Sequence, residues 1–249
     1  MGRSFGASWS SLFGFKRLFG TAFVLSVIAA GALTIRGHQA TAQGGAVDLA
    51  LVLAIDCSYS VDMREYNLQV RGMAEAFRRP EIIAAIQSGG YQRISVVVVQ
   101  WSDLAHQSVV IPWMVISDAA SGDQLAARLE TLPRTLAEGG TSITAAMGFS
   151  AQLLNNAPFQ ADRRVIDVAA DGRNNNGGDP RPMRDAVVSQ DITINGLSIL
   201  NEVPTLDKYF ELYITGGAAN FVIVANDYSD YSAAIYRKLL REIVGPRLS

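Results

Sequence analysis

A nearly unbroken apolar segment, residues 47–55, constrains the fold more than any other part of the sequence. A strand of this composition must be covered on both faces, as a central strand of a parallel sheet is. The segment leads directly into Asp56-Cys57-Ser58-Tyr59-Ser60, a string of the form Asp-x-Ser-x-Ser. We therefore expect a buried strand that ends in a turn rich in side-chain oxygen atoms.

Strand-like and helix-like apolar patterns alternate along the rest of the chain. Pro80 should interrupt the first helix, and Pro112 should place a short third strand at an edge of the sheet. The alternation predicts an α/β fold with a doubly wound, mostly parallel central sheet and helices on both faces. The expected strands are 47–55, 93–101, 109–116, 164–170, 192–200 and 221–225, and the expected helices are 61–86, 122–132, 141–155, 183–190, 206–214 and 228–244.

Residues 1–42 have the pattern of an export signal. Arg3, Lys16 and Arg17 precede the apolar stretch 18–35, and Ala40-Thr41-Ala42 fits a small-x-small cleavage site. The alternative is an uncleaved N-terminal anchor, because the apolar stretch approaches the ~18 residues that can span a bilayer. The predicted organisation is a signal peptide or anchor at 1–42, a linker at 43–46 and one domain at 47–249. The domain would be periplasmic or secreted, or anchored in the inner membrane facing the periplasm.

Composition excludes several function classes. Beyond residue 42 the chain has 17 basic and 23 acidic side chains, and this acidic balance argues against nucleic-acid binding. The phosphate-binding glycine patterns of nucleotide and dinucleotide sites are missing from the sequence. Cys57 is the only cysteine, so no internal disulfide can form, and we expect it to be a small buried side chain. We expect His106 to be a surface or core histidine rather than a catalytic one.

Two further polar signals follow the Asp-x-Ser-x-Ser string, each beside glycine. They are Thr141, after Gly139-Gly140, and Asp171, before Gly172. Each could be only a helix cap or a turn. All three signals are nevertheless predicted at strand ends or helix starts, where a doubly wound sheet gathers its ligand-binding groups. Hydroxyl and carboxylate oxygens together are typical of a site for Mg²⁺ or Mn²⁺.

This set of residues resembles the metal-ion-dependent adhesion site of von Willebrand factor type A domains, and the likeness extends over residues 47–244. The resemblance implies that Ser58, Ser60 and Thr141 bind the metal through their hydroxyls. It also implies that Asp56 and Asp171 support the ion directly or through water, and that an acidic residue of a protein partner completes the shell. The leader and the loop Ala170–Asn176 are similar to a bacterial exported subfamily. Tyr59 departs from the small residue usual in adhesion-type members.

The alternative function is that of a magnesium-dependent hydrolase that uses Asp56 and Asp171. A phosphoryl-transfer site normally supplies lysine or arginine to neutralise charge, and Arg173 is the only basic residue immediately beside the motifs. The residues therefore favour a protein-binding module over an enzyme.

Overall fold

Six strands form one sheet in the computed structural model, which describes residues 44–245. The strands are β1 (Gly44–Asp56), β2 (Ile94–Trp101), β3 (Gln107–Ile116), β4 (Phe159–Ala170), β5 (Thr193–Ile199) and β6 (Val222–Ala225). Their order across the sheet is β3-β2-β1-β4-β5-β6. The β2–β3 pair is antiparallel and the other neighbouring pairs are parallel, so the mostly parallel α/β fold is confirmed.

Helices cover both faces of this sheet. They are α1 (Met63–Arg78), α2 (Pro80–Gln87), α3 (Ala119–Glu130), α4 (Ile143–Asn155), α5 (Arg181–Val188), α6 (Leu206–Tyr209) and α7 (Tyr231–Val244), with a π-helical turn at Phe210–Ile214 after α6. No helix within the described range is long and apolar enough to cross a membrane.

The buried side chains of β1 alternate between two hydrophobic cores. Leu51 and Leu53 pack in the core that contains residues of α1, α2, α3 and α7. Val52 and Ala54 pack in the opposite core, which contains residues of α4, α5 and α6. Both faces of β1 are therefore removed from water, which explains why its sequence is almost entirely apolar.

The strand order creates one topological switch point, between β1 and β4. The chain leaves β1 toward β2 on one side, while β4 pairs with β1 on the other side. Loops that follow the two strands therefore diverge and leave a crevice at the carboxyl edge of the sheet. Asp56 ends β1 and Asp171 directly follows β4, so both carboxylates lie at this crevice.

Several local expectations required correction. Strand β1 begins at Gly44, within the predicted linker 43–46, and β4 begins at Phe159 rather than at residue 164. The helix expected at 61–86 is two helices, because Arg79 is extended and Pro80 begins α2. Strand β3 has 10 residues against 8 in β2, so it is not short, although it does lie at the sheet edge as Pro112 indicated. Helix α4 begins at Ile143 rather than Thr141, because Ser142 is its N-cap. The predicted leader, residues 1–42, lies outside the described residues.

A buried charge cluster fastens α7 to the sheet. Lys238 Nζ lies 2.7 Å from Asp167 Oδ1 on β4 and 2.5 Å from Glu242 Oε1, and all three side chains are at least 97% buried. Asn195 Nδ2 on β5 also donates to Glu242 Oε1, at 3.0 Å. Burial raises the pKa of the Asp167 carboxyl, while Lys238 acts in the opposite direction. The lysine is therefore the cation that allows two carboxylates to occupy the protein interior.

We expect Lys238→Met to destabilise the fold by about 3–5 kcal/mol, because it leaves Asp167 and Glu242 buried without a cation. The measurement is urea unfolding followed by circular dichroism. The matched control is Arg237→Met on the exposed face of the same helix, which should change stability by about 0.5 kcal/mol or less. Equal effects of the two substitutions would contradict the assignment.

Candidate metal centre

Asp56 lies at the base of the crevice with its side chain fully buried. Its Oδ1 accepts a hydrogen bond of 2.7 Å from the Ser58 backbone N–H, which closes the turn after β1. Within residues 44–245, no group donates a hydrogen bond to the other oxygen, Oδ2. A buried carboxylate oxygen without a partner carries a large desolvation cost, and a bound ion would remove that cost.

The two serines connect Asp56 to Asp171. Ser58 Oγ and Ser60 Oγ lie 3.1 Å apart, and Ser60 Oγ donates to Asp171 Oδ1 at 2.6 Å. The second oxygen, Asp171 Oδ2, accepts from the Tyr228 hydroxyl at 3.1 Å. The hydroxyl of Ser60 and the carboxylate of Asp171, both predicted site groups, thus join the turn after β1 to the end of β4.

Thr141 reaches the same place from the loop before α4. A Cβ atom built on Gly172 would lie 3.6 Å from Thr141 Oγ1 and 3.9 Å from Ser60 Oγ. These two hydroxyls therefore border one small space that the absence of a side chain at Gly172 leaves open. All five predicted site residues are brought together in the crevice: Asp56, Ser58, Ser60, Thr141 and Asp171.

The asparagine run after Asp171 holds the Thr141 loop in place. Asn175 Oδ1 accepts from the Thr141 backbone N–H at 2.8 Å, and the Thr141 carbonyl accepts from the backbone N–H groups of Asn175 and Asn176. Asn174 Oδ1 accepts from the Thr144 backbone N–H at 3.0 Å. The asparagine run is thus hydrogen-bonded to the backbone of the Thr141 loop and of the first turn of α4. The Ser142 hydroxyl caps α4, so the Thr141 hydroxyl is free of that role.

Gly139 permits a close approach between two further loops. A Cβ atom there would lie 2.7 Å from Asp103 Oδ2, which is too close for any larger residue without movement. The Gly139 carbonyl also accepts from the Tyr59 backbone N–H at 2.9 Å. The missing side chain at Gly139 therefore lets the loop that carries Thr141 lie close to Asp103 in the loop after β2, while the Gly139 carbonyl binds the turn that carries the two serines.

Two residues of the site were missed by sequence reasoning. One is Tyr228, the donor to Asp171. The other is Arg134, whose guanidinium donates to the carbonyls of Cys57, Ser58 and Val61 at 2.7–3.2 Å and whose side chain is only 5% exposed. The Arg134 side chain thus binds the backbone of the turn that carries Ser58 and Ser60, which we call the serine turn. Arg134 follows Pro133 in a loop that is remote from this turn in sequence. No local motif marks such a long-range contact.

Burial dominates the electrostatics of the crevice. It raises the pKa of the Asp56 carboxyl to about 8, and the nearby charge of Asp171 acts in the same direction. Burial also raises the pKa of Asp171, although the hydrogen bonds from Ser60 and Tyr228 act against that rise. Two buried carboxylates at close range repel each other unless a proton or a cation lies between them.

The donor set fits a hard divalent ion. It consists of three hydroxyls and two carboxylates, with one carboxylate oxygen buried and unpartnered. In the described part of the chain, no group of three or more His, Cys, Asp or Glu side chains could hold a metal ion by itself. The crevice is thus a hydroxyl-rich oxygen site, and such ligands suit Mg²⁺ and Mn²⁺ in particular.

The remaining predicted features lie around this site. Tyr59 is 73% exposed and points outward between the two serines, so it stands at the mouth without filling the crevice. Arg173 is exposed, donates from Nη2 to Thr205 Oγ1 and lies over the Tyr209 ring. His106 is a half-exposed partner of Asp103. Cys57 is buried as expected, and burial raises the pKa of its thiol to about 12.

We expect the metal-free protein to lose stability as the pH rises from about 4 to 8. The folded state holds a proton on Asp56 over this range and the unfolded state does not, so unfolding becomes more favourable by up to about 1.4 kcal/mol per pH unit. Asp56→Asn should reduce this slope in EDTA and raise stability at pH 8, as measured by urea unfolding at several pH values. The exposed substitution Asp162→Asn should retain the wild-type slope. Identical slopes for all three proteins would contradict the role of Asp56.

Comparison with solved structures identifies the fold as that of von Willebrand factor type A domains. A zinc-occupied structure of proximal thread matrix protein 1 from the mussel byssus aligns with a TM-score of 0.57 and 16% identity, over 80% of this chain and 47% of that one. The pilus adhesin SpaC from Lactobacillus rhamnosus GG aligns at 0.55 with 13% identity, over 80% and 30%. The von Willebrand factor domain of the pili tip protein Mfa5 from Porphyromonas gingivalis aligns at 0.55 with 9% identity, over 82% and 98%.

At these identities the alignments establish the fold alone, and the chain spans about half the length of the mussel protein. The family is identified by sequence. Residues 46–247 match the family described as protein of unknown function DUF1194, and the chain belongs to that family. No curated protein matches the sequence.

Proposed function

We propose that this chain is an exported, divalent-metal-dependent protein-binding module of the adhesion type. The observation that carries the proposal is the convergence of Asp56, Asp171 and three hydroxyls around a buried, unpartnered carboxylate oxygen at the switch point of the sheet. The mussel matrix protein is recorded with zinc in its metal-ion-dependent adhesion site, and this supports divalent-metal binding by the fold. The adhesin and pili tip proteins support a binding role.

In this proposal Ser58, Ser60 and Thr141 hold Mg²⁺ or Mn²⁺ through their hydroxyls, and Asp56 and Asp171 offset its charge. The bound ion would supply an electrophilic centre for an acidic side chain of a protein partner. Three other residues of the chain hold these ligands in position. Arg134 holds the serine turn, Asn175 holds Thr141, and Tyr228 orients Asp171.

Hydrolysis is the less favoured alternative, because Arg173 is the only exposed basic residue immediately beside the motifs. Arg134 donates to three backbone carbonyls and is almost fully buried, and Arg173 is engaged by Thr205 and Tyr209. Arg134 is therefore not placed to neutralise a phosphoryl group, and Arg173 alone supplies less positive charge than phosphoryl transfer normally uses. A phosphatase screen in Mg²⁺ separates the two functions, since a binding module gives no turnover at any pH.

We expect wild-type protein to bind one Mg²⁺ or Mn²⁺ per chain and to gain thermal stability as a result. Thr141→Ala removes one hydroxyl ligand and should weaken binding at least about tenfold, or ~1.4 kcal/mol. The measurement is titration calorimetry with Mg²⁺, Mn²⁺, Ca²⁺ and Zn²⁺ in separate arms. The control is Thr131→Ala, whose hydroxyl bonds only to carbonyls of α3. Folded wild-type protein that gives neither heat nor a melting shift with Mg²⁺ and Mn²⁺ would refute metal binding.

The proposal also places the domain outside the cytoplasm. We expect Ala42→Leu to block processing after residue 42 and to leave a larger, membrane-bound form, because the peptidase requires a small residue there. Cell fractionation and mass measurement of the mature N-terminus test this. Gly44→Ala, on the far side of the predicted cleavage point, is the control. Retention of residues 1–42 by wild-type protein in the envelope would replace the cleaved leader with an anchor.

A further inference from the structure

We infer that Gln100, which is not one of the five site residues, makes the metal site selective for a small ion such as Mg²⁺ over the larger Ca²⁺. The inference deepens the proposed function and rests on it. It is carried by a continuous series of hydrogen bonds that runs from the end of β2 to the serine turn.

Gln100 is the last residue but one of β2, is fully buried, and uses the whole hydrogen-bonding capacity of its side-chain amide. Its Nε2 donates to the Tyr66 hydroxyl at 2.7 Å and to the Pro133 carbonyl at 2.8 Å. Its Oε1 accepts from the backbone N–H and the hydroxyl of Thr135, at 2.8 and 2.7 Å. The orientation of the amide is unique, because the Pro133 carbonyl can only accept and the Thr135 N–H can only donate.

These bonds hold Arg134 on both sides. Arg134 lies in the segment 131–142, which connects α3 to α4 without a regular helix or strand. Its two sequence neighbours, Pro133 and Thr135, are the residues that Gln100 binds. The Arg134 guanidinium in turn donates to three carbonyls of the serine turn. Gln100 therefore fixes the position from which Arg134 binds that turn.

The end of β2 also holds the other end of this connecting segment. The Ser142 N–H, next to Thr141, donates to the Ser102 carbonyl at 2.8 Å, and Ser102 directly follows the last residue of β2. The serine turn and the Thr141 loop are thus both tied to the same buried strand. Its rigid backbone sets the distance between the hydroxyls that the two segments contribute.

A fixed distance between ligands favours a small ion. Ser58 Oγ and Ser60 Oγ lie 3.1 Å apart. Neighbouring ligands of a six-coordinate ion lie ~2.9 Å apart for Mg²⁺ and ~3.4 Å apart for Ca²⁺, from bond lengths of about 2.05 and 2.4 Å. Ca²⁺ also takes up to about eight ligands in a flexible site. A segment that is held at both ends resists this expansion, so the hydrogen bonds of Gln100 penalise Ca²⁺ more than Mg²⁺.

The test compares Mg²⁺ and Ca²⁺ binding by titration calorimetry in wild-type protein and in Gln100→Leu, which removes all four bonds and remains apolar in the core. We expect the affinity for Mg²⁺ to fall roughly tenfold, as it does when groups that support metal ligands are replaced. The affinity for Ca²⁺ should fall about twofold or less, because the relaxed site gains room for the larger ion. The ratio of the two affinities is the quantity that a purely structural role would not change.

Asn195→Leu is the matched control for general destabilisation. Asn195 is also a buried strand amide, and it binds Glu242 Oε1 and the Phe221 N–H on β5 and β6, away from the crevice. Its replacement should lower the stability of the fold and leave the ratio of Mg²⁺ to Ca²⁺ affinity unchanged.

Thr135→Val decides the question if Gln100→Leu does not fold. It removes only the hydroxyl bond to Gln100, from an exposed residue, and should lower the affinity ratio by roughly twofold. Thr131→Val in the same segment is its control, because the Thr131 hydroxyl bonds only to carbonyls of α3.

Two measurements test the route through Arg134. The losses of Mg²⁺ affinity in Gln100→Leu and Arg134→Met should not add in the double variant, because the two substitutions remove the same support. In EDTA, the Tyr59 amide, which donates to the Gly139 carbonyl, should exchange hydrogen faster in Gln100→Leu than in Asn195→Leu. The second measurement requires no bound metal.

The outcomes separate this inference from the proposed function. Wild-type protein that binds Mg²⁺, with an affinity ratio that neither Gln100→Leu nor Thr135→Val changes, would overturn the inference and leave the proposed function standing. A wild-type preference for Ca²⁺, or an equal change of the ratio in Asn195→Leu, would do the same. Fully additive losses would overturn the route through Arg134. Folded wild-type protein that binds neither ion would overturn both.

Discussion

The burial of two carboxylates in one crevice is the constraint on which the rest of this structure depends. Asp56 ends β1 and Asp171 directly follows the neighbouring parallel strand β4, so the strand order brings them together at the carboxyl edge of the sheet. Without compensation, two such charges in a desolvated site oppose folding. The surrounding loops offset this cost with hydrogen bonds from Ser60, Tyr228 and the Ser58 backbone N–H, but Asp56 Oδ2 is left without a donor in the described residues.

The loops around the crevice are joined to each other by hydrogen bonds. Arg134 bonds to three carbonyls of the serine turn, and Asn175 bonds to both the amide and the carbonyl of Thr141. Each loop is thus positioned by a residue from a different part of the chain. These hydrogen bonds between loops hold the hydroxyl and carboxylate oxygens of the site in place before any ligand binds. A site that is already ordered loses little conformational entropy on binding.

The fold class, and the meeting of the five candidate residues at one crevice, could be predicted from local sequence patterns, whereas the metal-binding role of these residues stays a prediction. Apolar periodicity identifies β1, and the switch point follows from the alternation of strands and helices. Arg134 and Tyr228 could not be predicted, because each acts through contacts 57 to 77 residues away in sequence. The start of α4 was misplaced because Thr141 and Ser142 are both good caps, and only the contact of Thr141 with Asn175 decides between them.

Strand β4 connects the two buried charge clusters of the protein. It carries Asp167, which pairs with Lys238 on α7, and it ends beside Asp171, which is bonded to Tyr228 just before α7 begins. The same helix and its preceding loop therefore hold β4 at two points about 13 Å apart along the strand, at ~3.3 Å per residue. Asp171 is thus presented by a strand that is held at two points along its length, and its carboxylate can be positioned accurately although its own loop is polar and glycine-rich.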